Sequence, residues 1–165
     1  MTKMNIDKKE VNPDRIKSAY IYNILKFIEW PKASFNFSMS PFILGVFGEN
    51  KITPHLIEYL KYKKIKDRDW KLESFNTPEE IKHCHIVFFC NLKYSESEYL
   101  ISYLEGKHIL TIGDNINNFC NLGGMINLVG NIPNLGFEIN NQEIKKEGLE
   151  ISSELLDLAT IIKNG

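Results

Sequence analysis

The chain has 165 residues, 43% hydrophobic and 25% charged, which suits one globular domain with a sizeable core. A formal net charge of −1 leaves no electrostatic footprint for nucleic acid. No apolar run approaches the about 18 residues that a membrane-crossing helix needs.

Residues 1–12 read as a polar tail without the apolar centre of a signal peptide, and residues 13–165 as a single domain. Asn12-Pro13 is an N-cap followed by proline at the first helical position, so a helix is expected from Pro13 to about Glu29. Trp30-Pro31 stops it, because the residue before proline avoids helical angles. Ile16, Ala19, Tyr20, Asn23, Ile24, Phe27 and Ile28 form its core-facing stripe, with Ile21 and Leu25 as a second apolar edge. Only Ser18, Tyr22, Lys26 and Glu29 are left to face water. A helix with so little polar surface calls for cover on a second side, from another subunit or a partner.

A loop over 32–41 leads to the strand FILGVF (42–47), which Gly48 ends. Thr53-Pro54 opens a second helix with Leu56, Ile57 and Leu60 buried, and the basic cluster Lys61, Lys63, Lys64, Lys66 reads as its solvated end. Trp70-Lys71-Leu72-Glu73 alternates as an edge strand should. Thr77 and Glu80 have capping-box spacing, as do Ser95 and Glu98, whose helix closes near Glu105-Gly106. The runs HIVFFC (85–90), HILTIG (108–113) and MINLVG (125–130) are continuously apolar and too short for buried helices, which marks them as central parallel strands. Asp114 is expected to cap a short turn through Phe119. LGFEI (135–139) follows GNIPN, too short for a parallel crossover, so it pairs antiparallel with its predecessor. Gln142 to Glu147 and Ser152 to Lys163 read as closing helices, the second burying Leu155, Leu156, Ala159 and Ile162.

The resulting fold class is α/β: a three-layer α/β/α sandwich around a mostly parallel sheet of about six strands, ordered 2-1-3-4-5 with an antiparallel last strand at the edge.

Ligands of such sheets sit beyond the carboxyl ends of the strands. Those ends carry Gly48-Glu49, Cys90-Asn91, Gly113-Asp114 and Gly130-Asn131. A phosphate-accepting receiver needs an acidic pair after the first strand and an aspartate after the third. Here Glu49 stands alone and the third strand ends in Cys90-Asn91, so that chemistry fails. GENKITP matches no nucleotide fingerprint, and Gly123-Gly124 precedes a strand, as a tight turn does. His83, Cys84, His85, Cys90 and His108 invite zinc, but alternation along one strand puts His83 and His85 on one face and Cys84 on the other. No metal and no cofactor is therefore expected. Cys90 reads as a core thiol, since no motif supplies the base a nucleophile requires. The three cysteines cannot all pair, and Cys84 and Cys90 stand too far apart on one extended segment to bond each other.

Taken together, SAYIYNILKFIEWP (18–31), CHIVFF (84–89), ILTIGD (109–114), LGGMINLV (122–129), GFEIN (136–140) and GLEISSELLDLA (148–159) resemble the YfiR family of exported bacterial regulators. The resemblance implies a non-catalytic periplasmic protein that represses a membrane-bound diguanylate cyclase by binding its periplasmic sensor domain. It further implies control of cyclic-di-GMP and biofilm, and an outer-membrane lipoprotein that draws the inhibitor away. Related domains serve as sensor portions of histidine kinases. A signal peptide would then have been removed ahead of the chain as given. Two family-type disulfides are not expected, because Asn127 stands seven residues after Cys120, and Gly45 stands where a partner for Cys84 would lie. Partner contact is expected from Tyr22, Lys26, Glu29 and Trp30, and from Asn131 and Pro133 in the last hairpin, together with a homodimer. Trp30 has an equal claim as a core plug. The alternative is a small-molecule sensor with a pocket near Asn91, Asp114 and Asn131.

Overall fold

The computed structural model describes residues 12–164, so all but Asn12 of the polar tail lies outside the described residues. Helix α1 spans Pro13–Leu25, and the Asn12 side chain accepts from the backbone N–H groups of Asp14 and Arg15. It ends one turn before the expected Glu29. Ile28–Glu29 is extended as β1 and pairs antiparallel with Glu150–Ile151. This brings Trp30 beneath the sheet, where its indole N–H donates to the His85 carbonyl at 2.9 Å. A tertiary contact thus overrides helical periodicity here. The stripe is also rotated from the one the periodicity suggests. Ser18, Ile21, Ile24 and Leu25 are buried, while Asn23 faces solvent. Ser18, expected in water, is fully covered and turns its hydroxyl back to the Asp14 carbonyl at 2.7 Å.

The other elements follow in order: β2 (Phe42–Phe47), α2 (Thr53–Leu60), β3 (Trp70–Phe75), β4 (Ile86–Phe89), α3 (Tyr94–Leu104), β5 (Leu110–Asp114), β6 (Ile126–Val129), β7 (Gly136–Ile139), α4 (Asn141–Lys146), β8 (Glu150–Ile151), α5 (Ser153–Leu156) and β9 (Thr160–Ile161). The main sheet is ordered β3-β2-β4-β5-β6-β7-β9, parallel from β3 to β6, with β7 antiparallel to β6. The α/β class and the strand order agree with the sequence reading.

The last helix does not. It is one turn, and Thr160–Ile161 runs beside β7 as an extra edge strand, parallel to it. Thr160-Ile161-Ile162 is a β-branched run with poor helix propensity, and the edge of β7 offers it a ladder. Three smaller readings also shift. Ile57 is exposed rather than buried. The Thr77–Glu80 box caps a single 3-10 turn, and α3 starts at Tyr94, with Glu96 rather than Glu98 accepting the N-terminal amide of Lys93.

Alternation along the strands separates two cores. Phe42, Leu44, Val46, Ile86, Phe88, Leu110, Ile112, Ile126 and Leu128 face α1 and α2. Phe47, Val87 and Phe89 face α3 and the turn carrying Ile116 and Phe119. Both faces of the central strands are therefore covered, which is why their sequences show no polar alternation.

Candidate interaction surfaces

The expected contact band is partly assembled. Tyr22, Lys26 and Glu29 lie on the outer side of the α1–β1 segment, with Lys26 Nζ 4.6 Å from the Tyr22 ring centre. Trp30 does not belong to it. Its ring is buried edge-on against Phe42 at 5.0 Å, so of the two readings the structure selects the core plug.

The band continues onto α2 and its following loop. Tyr59 packs edge-on to Tyr22 at 5.9 Å, Lys63 sits over Tyr59 at 4.5 Å, and Lys66 reaches Glu29 at 2.6 Å. Tyr62 is 96% exposed beside them. The basic cluster is the solvated end of α2, as expected, and its side chains run on from the α1 band. The tyrosines interleaved with lysines in EYLKYKK were the signal for this continuation.

Asn131 and Pro133 are exposed on the β6–β7 hairpin. Tyr20 ties α1 to that hairpin by donating to the Leu135 carbonyl at 2.9 Å.

The crevice beyond the strand ends forms between β2 and β4, where the chain order reverses. Asp14, Glu49, Asn50, Cys90, Asn91 and Asp114 line a cleft of about 510 Å³ there. Asn91 and Asp114 are thus brought together as the sensor reading requires, and Asn131 is not among the lining residues. Asp114 is not the expected cap. It ends β5 and pairs with Lys17 of α1 at 2.9 Å, a partner the sequence reading missed. The turn at Ile116 is instead held by Asn127, whose amide oxygen accepts the Ile116 N–H at 3.1 Å while its amide nitrogen donates to the Ile116 carbonyl at 2.8 Å.

All three cysteines are buried and unpaired. Burial, reinforced by Asp114, raises the Cys90 thiol far above its ordinary range, the opposite of what a thiolate nucleophile needs. Burial likewise pushes Cys84 and Cys120 up to about 12, with Glu73 and Glu138 adding to the effect.

His83, Cys84, His85 and His108 do line one cleft, of about 570 Å³, at the opposite end of the sheet. His85 has no lone pair to offer a ligand. Its Nδ1 accepts the Ile43 N–H at 3.0 Å and its Nε2 donates to the Ser34 carbonyl at 2.8 Å. His108 Nδ1 donates to the Glu147 carbonyl at 2.7 Å. Among the described residues no group of three or more histidine, cysteine or acidic side chains could hold a metal ion.

The molecule is thus an α/β domain that carries a cluster of aromatic and basic side chains on the outer side of α1 and α2. A family comparison specifies the class. The YfiR/HmsC-like family model matches residues 14–160, so the chain belongs to the YfiR/HmsC-like family. This is a family of regulatory, non-catalytic periplasmic proteins linked to diguanylate cyclase. No curated protein matches the chain in a sequence comparison.

Proposed function

We propose that this protein is a periplasmic signalling regulator that represses a membrane-bound diguanylate cyclase by occupying its sensor domain. The observation that carries this reading is the family match over residues 14–160. The partly exposed Tyr22 and Tyr59, packed edge-on within the surface that Lys26, Glu29 and Lys63 complete, support it, because tyrosine is enriched at protein contacts. Repression requires that the regulator bind the inactive form of its partner more tightly than the active one. An outer-membrane lipoprotein that competes for the regulator would then release the cyclase.

The test is cellular cyclic-di-GMP measured with and without the gene, in a strain that carries a membrane-bound diguanylate cyclase. Deletion should raise the nucleotide, and re-expression in the periplasm should lower it. Unchanged levels in both arms would remove the reading.

A second reading rests on the cleft holding Asn91 and Asp114 at the topological switch point. There the domain would sense a small molecule, either free or as part of a histidine kinase receptor. A small ligand raises the melting temperature with no partner present, which separates the two readings.

A further inference from the structure

Phe42 of β2 and Trp70 of β3 are register partners, so the segments that lead into them, residues 32–41 and 61–69, meet at one end of the main sheet. Arg68 ties the two together. Its guanidinium donates to the carbonyls of Phe37, Ser38 and Ser40 at 3.2, 3.0 and 2.8 Å, and lies 3.7 Å from the centre of the Phe35 ring. Three large apolar side chains project from this end into water: Phe37 is 65% exposed, Met39 80% and Tyr62 96%. Tyr62 is also held at φ 68°, in the left-handed region that bulky side chains avoid. An aromatic ring kept in an unfavourable backbone conformation and left in water gains little from the fold, which points to a role outside it. Around these tips the two segments carry six basic side chains, Lys32, Lys61, Lys63, Lys64, Lys66 and Arg68, against two acidic ones, Asp67 and Asp69, in a chain of net charge −1. Lys64 pairs with Asp69 and Lys66 with Glu29. Lys32, Lys61 and Lys63 are exposed and make no ion pair among the described residues.

We propose that this end of the molecule is a docking surface for an anionic lipid bilayer. The lysine ammonium groups meet phosphate headgroups, and Phe37, Met39 and Tyr62 enter the boundary between headgroups and acyl chains. Charge complementarity selects this occupant. Lysines on flexible stems around exposed apolar tips suit a fluid negative surface, which asks for no fixed pattern of partner carboxylates. Tyrosine is at home at headgroup depth, where its ring is covered and its hydroxyl stays wet. The α1 band adjoins this end through the Lys66–Glu29 pair, so a docked molecule holds that band near the bilayer. The proposal does not depend on the identity of any signalling partner, because lipid alone is the ligand.

Cosedimentation with protein-free vesicles tests the surface. Vesicles of phosphatidylglycerol and phosphatidylcholine should bind the unmodified protein, vesicles of phosphatidylcholine alone should not, and high salt should release it. Lys32→Ala with Lys61→Ala should weaken binding about twentyfold, since each lysine beside an anionic surface contributes roughly fivefold. Met39→Ser with Tyr62→Ser should weaken it as well while leaving its salt dependence in place. All four side chains are exposed, and thermal melts confirm that each variant is folded. A Tyr62→Trp protein reads the contact directly: its emission should move to the blue on adding anionic vesicles, beyond any change in the unmodified protein. Absence of binding to anionic vesicles at low salt, or equal binding to both vesicle types, would overturn the docking surface. So would a double lysine variant that binds as tightly as the unmodified protein, or a Tyr62→Trp emission that stays in place while the protein sediments.

Discussion

Gly45 of β2 lies beside Cys84, two residues ahead of β4: a Cβ placed on Gly45 would lie 3.0 Å from the Cys84 sulfur. That is about the Cβ-to-sulfur separation across a disulfide of ordinary geometry. The pairing position that the family resemblance suggested is therefore real in space, although this chain has no second thiol to fill it. Gly45→Cys should form the bond under oxidising conditions and add roughly 2–4 kcal/mol, with the upper end reached only if the Phe75 ring, also 3.0 Å from the new atom, can move. A thiol count that falls on oxidation, with a melting temperature that drops on adding reductant, is the expected outcome. Three free thiols plus the new one after oxidation would show that the ring blocks the approach.

Asn127 occupies the other departure from the family pattern, and it has a different task. It is 2% exposed and satisfies both backbone groups of Ile116. Asn127→Leu would leave a buried N–H and C=O without partners, at a cost of about 2–4 kcal/mol. Urea denaturation should show this as a lower midpoint at unchanged slope. Asn127→Asp keeps the acceptor but sets a buried carboxylate oxygen against the Ile116 carbonyl, so it should destabilise at least as much at neutral pH and recover in part as the carboxyl is protonated at lower pH.

His85 couples stability to pH. Its ring is stacked between Phe35 at 4.3 Å and Phe42 at 5.0 Å, and its pKa lies below the ordinary value of 6.5. Burial is the main cause. Arg68 adds to the lowering, and the hydrogen bond to Ser34 opposes it. Protonation would also set an N–H against the Ile43 N–H that Nδ1 now accepts. The unfolded chain takes up the proton first, so this contribution is complete above pH 6.5 and is lost as pH falls through the lower folded value. The melting temperature of the unmodified protein should therefore fall between pH 7 and pH 5 by more than that of His85→Gln. Parallel curves for the two proteins would place the acid sensitivity elsewhere.

These residues show why some of the molecule was legible in its sequence and some was not. The strands at Phe42–Phe47, Ile86–Phe89, Leu110–Asp114 and Ile126–Val129 were readable because burial on both faces leaves continuous apolar runs, and their order is the one that alternating strands and helices suggest. The end of α1 and the strand at Thr160 were not. Ile28 and Ile161 are apolar whether helical or extended, and only the partners Ile151 and Ile139 decide between the two. Asp114 was expected to cap a turn, and its ion pair with Lys17 was not legible because Lys17 lies almost a hundred positions away in sequence. Trp30 was placed in the contact band with the core plug as an equal alternative, and its ring is buried against Phe42.

The α1 band can be tested apart from folding. Lys26 and Glu29 are exposed, and Glu29 loses only a surface ion pair with Lys66 if its charge is reversed. Such pairs contribute at most about 1 kcal/mol, so Lys26→Glu with Glu29→Lys should barely move the thermal transition. If the band is the surface that meets the cyclase sensor domain, the same double variant should fail to capture that domain and should leave cellular cyclic-di-GMP high. A Trp30→Ala protein gives the contrast. It should lose about 3–5 kcal/mol of stability, whatever happens to binding, because a core ring and its hydrogen bond to His85 are removed. Capture by the double variant at the level of the unmodified protein would reduce the band to solvated surface and shift attention to the exposed hairpin at Asn131 and Pro133.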